Sequence, residues 1–317
     1  MHMVVRNAAV TLLLVFFSCG AIRAQTAGSI SGTVKDPTGE VIPDIAVVVR
    51  NVETGAQQTV NTNSEGYYNF TTLPVGHYEI EAFRPGFKPY KRTGLAIDVG
   101  TTIQLDLTME MGEESEQVTV TDSGIHVETE STQMGEVMGT SKMTSIPLNG
   151  RSFTDLMDLQ PGVTPVSSQA PNAIIMSGVA TFPPSGDQNP GNTSISGQRE
   201  TANGFSVNGS DVEEDLNMGT AILPNLDSIS EFRVLTNNFD AEYGNFSGGQ
   251  VIVVTKSGTN QFHGDVFEFL RNTAFDARNP FSPQRAEFDR NQFGGTVGGP
   301  IKSNKVFFFA DYQGSRT

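Results

Sequence analysis

YGNFSGGQVIVVTKSGTNQFHG, residues 243–264, contains the run on which the fold turns. Val251 to Val254 are four β-branched apolar residues in succession. Glycines close the run on one side and Lys256 to Asn260 on the other. A run that short, with no polar side, predicts a strand buried on both faces. Left uncovered, the same run is an aggregation hazard.

The surrounding chain is polar and rich in turns. Its 317 residues include 33 Gly, 16 Pro and no Trp, and only 17% are charged, which favours short strands and turns over helices. The length fits two or three domains. A formal net charge of −15, with no basic stripe, argues against nucleic acid and against non-specific adherence to anionic lipid.

Arg6, the apolar run at 8–17 and AIRAQ at 21–25 read as a secretory signal peptide, 1–24, cut after Ala24. Cys19, the one cysteine, lies inside it, so the exported chain has no disulfide framework and no thiolate chemistry. Phe16-Phe17-Ser18 is a poor lead-in to lipid attachment at Cys19. No later segment approaches the about 18 apolar residues of a membrane helix.

Residues 26–110 alternate at period two. Tyr78, Ile80 and Ala82 oppose His77, Glu79 and Glu81, and Ile103, Leu105, Leu107 and Met109 oppose their polar neighbours. Turn signals recur at 36–39, 53–55, 64–66, 74–76 and 84–86. About seven strands, each with one wet face, predict an antiparallel β-sandwich. GTVKDPTGEVIPDIAVVV (32–49), NSEGYYNFTTLPVGHYEI (63–80) and PGF (85–87) resemble the carboxypeptidase regulatory-like domain, a transthyretin-like sandwich. His77 and His126 lack a following Glu at metal-ligand spacing, so no zinc site is expected and His77 reads as a surface residue.

An acidic linker, 111–123, follows. Within it Glu116, Gln117, Val118, Thr119, Val120 and Thr121 form a short alternating β-former, either a plain spacer or a strand suited to adding to a partner's sheet edge. Residues 124–258 differ in texture. Ser152 is a candidate N-cap for a short helix burying Phe153, Leu156 and Met157, stopped by Pro161-Gly162. Residues 164–197 read as a long irregular loop, and EFRVLTN (231–237) as a strand. From 259 onward FHGDVFEFLRN, NQFGGTVGGPI and VFFFADYQG read as three strands, with a tight turn at 302–305 and a longer loop at 274–290. That asymmetry matches an outer-membrane barrel, with Phe307, Phe309 and Tyr312 as candidates for an aromatic girdle.

IPLNGRSFTDLMDLQPGV, FSVNGSDV, LDSISEFRVLTNNFDAEYGNFSGGQVIVVTKSGTN and FHGDVFEFLRN together resemble the plug and first barrel strand of TonB-dependent outer-membrane receptors, in the Oar-like branch where a regulatory-like sandwich precedes the plug. The resemblance implies a mainly β chain: sandwich (26–110), linker (111–123), α+β plug (124–258) and the start of an incomplete barrel (259–317). It puts Glu116 to Thr121 at the TonB-box position, with TonB as partner by strand addition. It also implies a barrel of about 22 strands in the outer membrane, a periplasmic sandwich, and uptake of a ligand that is a siderophore, glycan, peptide or protein. The chain holds at most three barrel strands, so it reads as an N-terminal portion, and Val251 to Val254 would be exposed without the enclosing wall.

No nucleophile, base and orienting acid can be assembled, so no enzyme and no cofactor is expected. DVEEDLN (211–217) has alternating acids but Leu216 where a calcium loop needs glycine, and GGTVGGP (294–300) lacks the Lys-Ser/Thr of a phosphate loop. The alternative reading is a periplasmic or surface adhesion or carbohydrate-binding protein built on the sandwich. An accessory domain of a zinc carboxypeptidase is disfavoured by the absent catalytic region.

Overall fold

The computed structural model describes residues 26–112, 118–121, 131–148, 150–165, 193–213, 220–278 and 280–316, apart from 282, 284 and 286. The signal-peptide reading, Glu116, Gln117, His126, most of the 164–197 loop and Glu214 to Asn217 lie outside the described residues.

The first unit is a sandwich of two sheets. One is built on β1 (Ala27–Lys35), flanked by β4 (Tyr67–Pro74) and by the short β7 (Thr102–Gln104) and β8 (Leu107–Thr108). The other runs β3 (Gln57–Asn61), β2 (Ala46–Asn51), β5 (Gly76–Phe83), β6 (Tyr90–Ile97), β9 (Val118–Thr121). Alternation decides the core: Tyr78, Ile80 and Ala82 of β5 are buried with Ile30, Val47, Phe70 and Leu95, while His77 and Glu81 face out. Gly66 takes φ +67 in its turn, beside Val34 O, where a Cβ would sit 2.8 Å from that oxygen.

Two features depart from a plain antiparallel sandwich. The stretch 102–110 is two short strands, both parallel to β1, because Asp106 leaves the ladder to accept hydrogen bonds from Thr33 N (2.8 Å) and Thr33 Oγ1 (2.9 Å). β9 also pairs in parallel, with β6. Parallel pairs arise because the chain crosses between sheets after β6 and returns after β8, with no hairpin at either point.

The second unit is a five-stranded sheet ordered β10 (Met134–Gly139), β15 (Ile229–Asn237), β16 (Gln250–Thr255), β13 (Gly204–Val207), β14 (Ser210–Asp211). The antiparallel pair β11 (Val163–Pro165) and β12 (Thr193–Ile195), the helix α1 (Thr140–Ser145) and a 3-10 turn (Phe153–Leu159) accompany it. Phe153, Leu156 and Met157 are buried as read from sequence, on a 3-10 turn and not an α-helix. Ser152 stands at its N-cap position without capping, because its hydroxyl is taken by Thr154 Oγ1 at 2.6 Å.

β16 is the centre of that sheet, and Val251 to Val254 are all buried. Val251 and Val253 join Phe153, Met157, Phe232 and Val234 in the unit's own core. Ile252 and Val254, on the opposite face, pack with Leu235 and with Val99 of the sandwich. The expectation of exposure without a barrel wall is therefore corrected: a loop of the sandwich covers the second face.

The third unit is a meander, β17 (His263–Asn272), β18 (Asp289–Lys302) and β19 (Val306–Arg316), antiparallel throughout. The overall class is mainly β, and the barrel is not closed. Register settles its faces, since Asp265, Thr296 and Asp311 lie opposite one another and Asp311 bonds Asn225 of the second unit. Phe307 and Phe309 share the inward parity of Asp311, so of the three proposed girdle residues only Tyr312 faces outward, with Phe308.

If β16 is clamped from both sides, Ile252→Ala is expected to cost about 2–5 kcal/mol in urea unfolding and to speed proteolytic separation of the sandwich. Val253→Ala is expected to destabilise the second unit while leaving the separation rate unchanged. Equal effects of the two on separation would contradict the two-cover arrangement.

Candidate partner strand and the junctions around it

Of the six residues expected as a partner-binding strand, Val118 to Thr121 form β9, the outermost strand of the second sandwich sheet. Its register sets Tyr90 against Val118, Lys91 against Thr119, Arg92 against Val120 and Thr93 against Thr121. Val118 N donates to Pro89 O at 3.0 Å. Val118 and Val120 are half-buried against the sandwich core, and Thr119 is exposed. Beneath it Lys91 holds Glu81 at 2.8 Å and Glu79 at 2.9 Å, and those hydrogen bonds keep its ammonium above the ordinary lysine range.

The sandwich meets the second unit through a buried polar junction. Val99 N donates to Glu231 Oε1, and Arg233 Nη1 donates to Gly100 O (2.8 Å) and Val99 O (3.2 Å). Arg233 is 1% exposed, the largest fully buried side chain among the described residues. Glu231 is buried beside Asp98, and burial, then the Asp98 charge and hydrogen bond, push its carboxyl well above the usual carboxylate range; the Val99 amide and Arg233 oppose the shift.

A second junction ties the middle unit to the meander. Arg151, at φ +60 beside Gly150 at φ +107, pairs with Asp227. Its guanidinium lies 4.1 Å from the Phe269 ring centroid and 4.5 Å from that of Phe267, both on β17. Gln292 of β18 donates to Gly150 O at 2.9 Å. A third contact joins the sandwich to the short-turn end of the meander: Asn260 N donates to Glu53 O at 2.9 Å, and Asn304 of the 302–305 turn is held by Asn260. Next to it lies an open cleft of about 840 Å³ whose walls include Glu53, His77, Lys256 and His263. His77 is exposed, as expected, and paired with Glu53.

Sequence reading located β9 but missed its dock on β6, and it missed Val99, Glu231, Arg233 and Arg151. A signal for one pair existed. Glu231 and Arg233 sit at alternate positions of an apolar strand, where charges need a buried partner.

Among the described residues no three His, Cys, Asp or Glu side chains gather as a metal site. Among the described residues no helix is long and apolar enough to cross a membrane.

Comparison with known proteins agrees with this architecture. A family model described as an outer membrane beta barrel domain matches residues 254–317, and one described as a carboxypeptidase regulatory-like domain matches 29–110. The matches mark a regulatory-like sandwich and, after it, a segment similar to an outer-membrane β-barrel. The TonB-dependent transporter Oar of Myxococcus xanthus is 26% identical over 315 residues, taking in 94% of this chain. The domain order and sequence are similar to those of the N-terminal part of that transporter. The chain spans 28% of the length of that curated relative.

Among solved structures, the siderophore receptor PirA from Acinetobacter baumannii is 20% identical, covering 59% of this chain and 25% of that one at a TM-score of 0.42. A putative carbohydrate binding protein from Bacteroides uniformis is 23% identical, covering 26% of this chain and 41% of that one at a TM-score of 0.24. At these scores neither likeness bears on ligand or mechanism. The curated relative is named as a transporter, and neither family model describes a catalytic domain.

The junction carries a pH signature. Glu231 has its folded pKa raised, so its contribution to docking is fully present below the unfolded value of about 4.3 and is lost as pH rises through the folded value. Proteolytic release of the sandwich is expected to be slower near pH 5 than near pH 9, and Glu231→Gln is expected to flatten that dependence. A dependence of the same size in the Gln variant would rule out this carboxyl as its source.

Proposed function

We propose that this chain forms the periplasmic and plug portion of an energy-coupled outer-membrane receptor, with Glu116 to Thr121 as the strand taken by TonB. The carrying observation is that Val118 to Thr121 already form an extended edge strand, at the border of a sheet and outside the plug. Main-chain groups at a sheet edge bind a partner strand with little demand on side-chain identity. The sandwich abuts the tight 302–305 turn, whereas the longer 273–288 connection lies at the other end of the meander. Short turns in such barrels are periplasmic, which supports a sandwich on the side where TonB acts.

In this reading 26–110 is the sandwich, 111–123 the linker with the TonB strand, 124–258 the plug and 259–317 the start of the barrel. The outward side chains Val266, Leu270, Val297, Ile301 and Tyr312 are all exposed and suit contact with lipid. In this reading substrate enters from the face opposite the sandwich, and the 165–200 segment expected to contact it lies mostly outside the described residues. The substrate expected there is a siderophore, glycan, peptide or protein.

A peptide spanning 113–123 is expected to bind the TonB C-terminal domain in calorimetry or NMR titration, and Val118→Pro with Val120→Pro to abolish binding by removing ladder donors. Undiminished binding by the proline peptide would sink the assignment.

A further inference from the structure

A sheet edge exposes a row of unpaired N–H and C=O groups and is a template for another strand. In the second sandwich sheet that edge is β6, and its occupant is the chain's own Val118–Thr121. The pairing is more than a backbone contact, because Val118 and Val120 turn their side chains onto the sandwich core, where Phe87 also packs. The four residues that a coupling partner would use are already in use.

We propose that the β6 edge is a docking site for the chain's own coupling strand, and that the partner obtains the strand only by exchange, in competition with the sandwich. The proposal rests on the TonB reading for the partner's identity, and on the strand pairing for the rest. Among the described residues nothing pairs with the outer edge of β9, so simple addition there is the rival arrangement. Addition would leave both valines in the sandwich and offer the partner Thr119 as the one exposed side chain of Val118, Thr119 and Val120. Exchange presents the valines to the partner and requires the sandwich to release them. The docked state is shallow enough for this: four residues, in a parallel pair, the weaker of the two ladder types per residue. Docking lowers the partner's apparent affinity by the fraction of chains in which the strand is undocked. Coupling therefore depends on the sandwich as well as on the strand.

A disulfide provides the test. Lys91 and Thr119 are register partners on adjacent strands, so their Cα atoms are about 4.8 Å apart, within disulfide range. The double variant Lys91→Cys/Thr119→Cys is made in the full chain with Cys19→Ser, which removes the natural cysteine. Oxidised, it is expected to bind the TonB C-terminal domain at least about tenfold more weakly than when reduced, because the competent fraction is removed. Equal binding of the two forms would overturn exchange in favour of addition. As a second arm, Val118→Thr/Val120→Thr keeps the β-branched shape but puts hydroxyls against the core, and is expected to tighten binding of the full chain about threefold or more. The corresponding free peptides should bind within about twofold of each other, and no gain in the full chain counts against the proposal. Amide exchange without partner reads docking by itself: residues 118–121 should be protected relative to the free 113–123 peptide. Absence of protection overturns docking outright. A free wild-type peptide that fails to bind, with 118–121 protected in the chain, would instead defeat the TonB reading and leave the dock standing.

Discussion

An apolar strand with no polar side has to be covered twice, and β16 meets that requirement with material from two units. Phe153, Met157 and Phe232 cover Val251 and Val253, while Val99 of the sandwich covers Ile252 and Val254 beside Leu235. The hydrophobic term is non-directional and does not by itself choose which loop provides the second cover. The choice is made by polar groups at the same place. Glu231 accepts from the Val99 amide and Arg233 donates to the carbonyls of Val99 and Gly100, so one turn of the sandwich matches one carboxyl and one guanidinium on β15. A buried guanidinium left without these carbonyls is costly in its own right, which disfavours other docking positions more than it stabilises this one.

The meander is fixed by the same logic at smaller scale. Arg151 spans from Asp227 to the rings of Phe267 and Phe269, Gln292 reaches Gly150, and Asn225 reaches Asp311. All three contacts use the inward face of the meander, leaving the outward face to Val266, Leu270, Val297, Ile301 and Tyr312. Inward polar side chains and an outward apolar band are what an outer-membrane barrel wall requires.

Period-two alternation made the sandwich legible, since each of its strands has one wet face; Tyr78, Ile80 and Ala82 fell where the pattern put them. The same rule named Val118 to Thr121 as a strand but could not name β6 as its neighbour, because alternation fixes a face and carries no information about pairing. Val99 was illegible for a related reason. It sits in a turn, Asp98-Val99-Gly100, where one apolar residue has no period to reveal its burial. Phe307 and Phe309 misled because three consecutive phenylalanines show aromatic content on both faces, and only the register with Asp311 and Asn225 distinguishes them. Arg151 follows a glycine in a loop, and nothing local shows that a ring pair from a strand more than a hundred residues later will lie over it.

The two covers of β16 also differ in kind, and that difference orders the molecule mechanically. The inner cover is apolar throughout, so opening it exposes Phe232, Val234, Val251 and Val253 to water with no compensating hydration. The outer cover mixes Val99 with Asp98, Glu231 and Arg233, groups that regain favourable hydration when the interface opens. The outer cover can therefore part, its polar groups rehydrated, before the second unit's own core is disturbed.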